Sequence, residues 1–223
     1  MTYIFLILAV LLSFGFVLLF KPKKGESLRL LLAFSGAFLL SLTLFELFPE
    51  VYENTDAKTI GVFVMLGILL QVFLEVFSQG AEHGHLHLAE ENKSFPWLLF
   101  LSLSIHSLLE GLPIAQHKSI IYGILVHKIP IALILSIFLL NSKMKRSYAF
   151  LFMLLFSLMT PLGSYLTLHS EFITNYYAPL TAVVIGVFLH ISTIILFESA
   201  EGHNFTLRKL SAIVLGVLIA YFL

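Results

Sequence analysis

The chain has 223 residues, of which 59% are apolar and only 12% charged, with 13 basic and 13 acidic side chains in balance and no cysteine. A water-soluble domain of this size carries about twice that share of charge, so composition excludes a water-soluble fold and makes lipid the solvent. The missing cysteines exclude a disulfide framework and a thiolate metal site.

Apolar runs of about the length that crosses a hydrocarbon core predict eight helical spans. They lie near Thr2 to Phe20, Leu28 to Phe48, Ile60 to Phe77, Phe95 to Ile114, Ile120 to Leu140, Ala149 to Leu168, Tyr177 to Phe197 and Phe205 to Leu223. None alternates polar and apolar residues as a membrane barrel strand does. The first run lacks a basic start and a small-residue cleavage site before Lys21, so it reads as a retained helix rather than a signal peptide. The connections are short and polar. Residues 1–223 are therefore expected to form a single transmembrane domain, with 78–94 as a loop between the third and fourth spans.

Lys21, Lys23, Lys24, Arg29, Lys93, Lys143, Lys145, Arg146, Arg208 and Lys209 fall on one side of such a bundle, and only Lys58 and Lys118 on the other. Cationic loops stay cytosolic during insertion. The first, third, fifth and seventh loops are thus expected in the cytosol and both termini outside, in a plasma (inner) membrane. The second and seventh spans echo each other, Gly36-Ala37-Phe38-Leu39 against Gly186-Val187-Phe188-Leu189, each followed by Leu-Phe-Glu ending at Glu46 and Glu198. Two such spans cross in opposite senses, which points to an inverted repeat.

Ionisable side chains at bilayer depth cost several kcal/mol unless paired or hydrated, and mark function by default. The fourth span holds His106 and Glu110 one turn apart, and the fifth holds His127-Lys128. Pro113 and Pro130 follow, each withholding an N–H from the carbonyl four residues earlier, so the carbonyls of Leu109 and Val126 are expected to be open. Imidazole, carboxylate and carbonyl suit zinc, iron, manganese or cadmium better than potassium or magnesium. A packing hydrogen bond would account for His106 with Glu110, but not for four ionisable groups at similar depth.

These two spans resemble those of the ZIP family of metal transporters. The resemblance rests on His106-Ser107, Glu110-Gly111, His127-Lys128 and Pro130, and extends more loosely to Glu46-Leu47-Phe48-Pro49-Glu50 and Thr160-Pro161-Leu162-Gly163. It implies an all-α membrane protein in which the fourth and fifth spans sit between two three-helix repeats, a 3+2+3 bundle that carries a divalent metal toward the cytosol by alternating access. Three departures from the family pattern, Ile131 after the proline, Lys128 beside His127 and Thr160 in the sixth span, suggest one metal site, with Lys128 standing where a second ion would be.

The expected ligands are His106, Glu110 and His127, with Glu46 as an entrance ligand and His190 as a fourth ligand or exit contact. Glu75 is read as a helix-end carboxylate reaching toward water, and His117 and His169 as isolated surface histidines. His83, His85 and His87 in the third loop form a tract that can bind zinc weakly on the cytosolic side, with Glu201 and His203 able to join it. The transported ion is expected as substrate, with no other cofactor. The lipid bilayer is the expected partner, a homodimer is left open by the sequence, and nucleic acid is not expected. An intramembrane zinc hydrolase is the rival reading, opposed by the lack of a His-Glu-x-x-His pair, and the lack of a phosphate-binding Gly-rich loop opposes an ATP-driven pump.

Overall fold

Inside a hydrocarbon layer every backbone N–H and C=O must find its partner within the chain, and the helix does this segment by segment. The computed structural model describes residues 2–22, 25–53, 55–78, 95–198 and 206–223, and among them there are helices and no strand. They are α1 (Thr2–Phe20), α2 (Glu26–Leu42), α3 (Phe48–Glu53), α4 (Ala57–Ser78), α5 (Trp97–Gly111), α6 (Ile120–Asn141), α7 (Arg146–His169), α8 (Glu171–Asn175), α9 (Tyr177–Glu198) and α10 (Leu207–Tyr221).

Seven helices among the described residues are long and apolar enough to cross a membrane, so this is a multi-pass membrane protein. The second of them is α2 and α3 together, joined without a break from Glu26 to Glu53. The eighth expected span is α10, shorter at 15 residues and packed along α2. The short helix α8 was not among the expected elements. Ser170 caps it, accepting from the N–H of Ile173. In the connection before α4, Asp56 plays the same role, its carboxylate accepting from the backbone N–H and the hydroxyl of Thr59. Those hydrogen bonds, the backbone one foremost, hold the Asp56 carboxyl below the ordinary carboxylate range.

The helices pair with an internal symmetry. The third span, α4, packs on the seventh, α9, as the eighth, α10, packs on the second, α2; the fourth, α5, packs on the sixth, α7, as the fifth, α6, packs on the first, α1. Exchanging the first three spans with the last three, and the fourth with the fifth, reproduces the set. This is the pairing expected of two inverted three-helix repeats around a central pair.

Two of these contacts bring backbones together through glycine. A Cβ on Gly111 of α5 would lie 2.1 Å from the carbonyl oxygen of Thr160, and one on Gly163 of α7 would lie 2.0 Å from that of Leu108. Gly67 and Gly186 stand in the same reciprocal relation between α4 and α9, against the carbonyls of Val183 and Val64. Small residues at such crossings allow the van der Waals contact that drives helix association where no hydrophobic effect operates.

Apolar clusters flank the central pair. One gathers Val10, Phe14, Leu103, Leu135, Phe152 and Phe156 from α1, α5, α6 and α7, and another gathers Leu32, Ile131, Ile134, Val187 and Ile191 from α2, α6 and α9.

Candidate metal site

His106 and Glu110 share the buried face of α5, four residues apart, and His127 and Lys128 lie on α6 where it faces α5. All four are buried, at 4%, 1%, 2% and 2% exposure. The carboxylate of Glu110 divides its oxygens between two neighbourhoods. Oε1 is 2.9 Å from Nε2 of His106 and 3.9 Å from Nε2 of His127, whereas Oε2 accepts from the ammonium of Lys128 at 2.8 Å.

His106, Glu110 and His127 each offer a ligand atom, and these atoms lie within 4.8 Å of one another; it is the single such triad of His, Asp or Glu among the described residues. Two imidazole nitrogens and a carboxylate oxygen facing a common point form a ligand set for a borderline divalent ion. Three protein ligands leave the remaining coordination to water or to further groups.

Lys128 is enclosed on its other sides. Its ammonium donates to Ser107 Oγ at 2.9 Å and lies 4.9 Å from the centre of the Phe156 ring, within cation–π range. The Ser107 and Thr160 hydroxyls are 2.9 Å apart, and Thr160 Oγ1 lies 2.8 Å from the Ser107 carbonyl, to which it donates. Gly111 and Gly163 make this relay possible, because only a close crossing of α5 and α7 brings Thr160 within reach.

The two prolines act differently from one another. Pro130 lies inside α6, which continues through it and gives the Val126 carbonyl no Pro130 N–H. At Pro113 the chain tightens into a 3-10 turn over Leu112–Ala115, and the Leu109 carbonyl accepts from the N–H of Leu112. The expectation of an open Leu109 carbonyl is therefore corrected: the shorter-pitch turn supplies the missing donor.

The remaining predicted residues lie outside the triad. Glu46 sits on a π-helical turn, Thr43–Leu47, which widens the helix just before Pro49, and its carboxylate accepts a hydrogen bond from Ser119 at the start of α6. His190 on α9 pairs through Nε2 with Glu75 Oε2 of α4, 2.8 Å away, so the partly exposed carboxylate read as reaching for water also faces a histidine. His117 is not isolated either; it pairs with Glu50 of α3. His169 accompanies Tyr165, their rings stacked at 4.0 Å. The tract His83, His85, His87, with Glu201 and His203, lies outside the described residues.

Sequence reasoning passed over Gln71, a fully buried amide in α4. The signal was present, since Gln71 interrupts an otherwise apolar run between Ile60 and Leu74 and intramembrane polar groups merit the same attention as charges.

The sequence pattern of a family described as ZIP zinc transporter matches residues 78–223. Among curated proteins, protein zntD of Dictyostelium discoideum is 32% identical over 148 residues, covering 56% of this chain and 22% of that protein. Zinc transporter ZIP1 of Danio rerio is 38% identical over 87 residues, covering 36% of this chain and 29% of that protein. The matches thus span less than a third of these relatives' own lengths.

Proposed function

Because the chain belongs to the ZIP zinc transporter family, we propose that it is a secondary transporter that carries a divalent metal ion through the bilayer by way of a single site on α5 and α6. The observation that carries this reading is the buried convergence of His106, Glu110 and His127 within 4.8 Å. Family members are transporters rather than enzymes, and the hydrolase reading is set aside on that ground. Zinc is the favoured substrate, with iron, manganese and cadmium suited to the same ligand set.

The ion enters near Glu46 and leaves toward the cytosol, with both termini outside, as the sorting of Lys and Arg among the loops implies. The Glu75–His190 pair, on the third and seventh spans, offers an exit-side contact. Alternating access moves one repeat against the other about the fixed central pair. Lys128 occupies, as a fixed ammonium, the place a second ion would take, and its share of Glu110 lowers the charge left for the substrate. That arrangement favours release over tight capture. The His83 to His87 tract serves as a cytosolic acceptor.

The test is zinc uptake into proteoliposomes by the purified protein. His106→Ala, Glu110→Ala and His127→Ala should each abolish uptake while the protein inserts and folds. Wild-type uptake by His106→Ala would remove the site from the pathway.

A further inference from the structure

The buried stripe of α4 runs Ile60, Val64, Gly67, Gln71, Leu74, Ser78. Gln71 at its centre is 0% exposed, and among the described residues neither its amide nitrogen nor its amide oxygen has a hydrogen-bond partner. An unpartnered buried amide destabilises a fold, and native structures that keep one use it for a water, an ion or a functional group.

Its level in the bundle follows from one contact. Ser102 of α5 donates to the carbonyl of Leu74 at 2.6 Å, and α5, the next span, runs antiparallel to α4. One turn further along α5 from Ser102 is His106, and one turn back along α4 from Leu74 is Gln71, so the two stand level. Ser102, His106 and Leu109 follow one another on one face of α5, and Leu109 packs into the cluster that holds Val184, Ile185 and Phe188 of α9. Gly67, a turn before Gln71, meets the same helix at Val183. His106 has the complementary lack: Nε2 is engaged by Glu110, while Nδ1 is buried without a partner among the described residues.

We propose that Gln71 is the positioning residue of His106, accepting the Nδ1 proton of the imidazole through one ordered water and so fixing the tautomer whose Nε2 lone pair faces the ion. A ligating histidine regularly donates its other ring N–H to a carboxylate, a carbonyl or a water, and a buried water needs two or more such polar neighbours. Gln71 itself does not touch the ion. The proposal rests on the reading of His106 as a ligand.

The experiment titrates zinc against the purified protein in detergent, in competition with a chelating dye, and records the melting temperature of the metal-free protein. Gln71→Met keeps the length and removes the hydrogen bonds. Its zinc dissociation constant should rise about 10–100-fold, the cost of losing such an outer partner, while the metal-free melting temperature stays close to the wild type, because methionine fills the same space. Gln71→Glu, which retains an acceptor oxygen, should recover most of the affinity, but the Gln71→Met result decides by itself. An unchanged dissociation constant in Gln71→Met overturns the proposal, and so does a loss of affinity that tracks a fall in melting temperature, which marks a packing role. His106→Ala separates the two readings: if it binds zinc normally, the ligand assignment falls, whereas if it loses zinc and Gln71→Met does not, only the role of Gln71 falls.

Discussion

Replacing Lys128 by Met keeps the alkyl stem and deletes the ammonium, which isolates the electrostatic part of the site. The ammonium lies 2.8 Å from Glu110 Oε2, with both side chains almost wholly buried. At that distance the attraction is about 6 kcal/mol for an effective dielectric of about 20. Desolvation offsets much of it, and removing one partner of a buried pair costs about 3–5 kcal/mol because the other charge is left uncompensated. For a chain of this size that corresponds to a melting temperature lower by roughly 6–20 °C. A divalent ion can neutralise Glu110 in place of the ammonium, and an ion at 100 times its dissociation constant stabilises by about 2.7 kcal/mol. Lys128→Met should therefore melt low without metal, gain more from zinc than the wild type does, and bind zinc more tightly. The double variant Lys128→Met/Glu110→Gln, with neither charge, should melt near the wild type and gain little from zinc. Thermal melts of the purified proteins in detergent, with and without zinc, measure all three. A metal-free Lys128→Met that melts with the wild type, or a double variant as unstable as the single one, would refute the reasoning.

Two further predictions test the packing and the orientation. Gly163→Ala places a Cβ 2.0 Å from the Leu108 carbonyl oxygen, forcing α5 and α7 apart at a cost of about 1–3 kcal/mol or more, whereas Gly61→Ala, with no atom within 4 Å of the new Cβ, should be silent or slightly stabilising in the same melts. Gly84→Cys in the third loop should resist an impermeant thiol reagent applied outside intact cells, and Asn54→Cys in the second should react; labelling of Gly84→Cys from outside would reverse the assigned topology.

The spans were legible in the sequence because the hydrocarbon core demands continuous apolar runs, and the start of α1 at Thr2 and its end at Phe20 coincide with the expected bounds. His106, Glu110, His127 and Lys128 stood out for the related reason that charge inside such runs is costly. The interruptions were less visible. Pro113 announced a disturbed helix, but not that the chain would tighten to a 3-10 turn at Leu112–Ala115 and supply the Leu109 carbonyl with the N–H of Leu112, and nothing in the sequence pattern announced the π turn at Thr43–Leu47.

Which polar residues meet was decided by tertiary structure. Glu75 and His190 are 115 positions apart and form a pair at 2.8 Å, and His117 finds Glu50, because α4 and α9, or α3 and the α5–α6 turn, are brought side by side by contacts that local pattern does not encode. Helical spacing could put Glu110 on the face of His106, four residues away on the same helix. It could not say that one carboxylate oxygen would turn to the two imidazoles and the other to Lys128, since that division depends on how closely α5, α6 and α7 approach. Composition and periodicity thus determined that the chain spans the membrane and which residues violate its solvent, whereas the pairing of those residues was set by the distances between helices, which glycines fix for α4 against α9 and α5 against α7, a property of the assembled bundle.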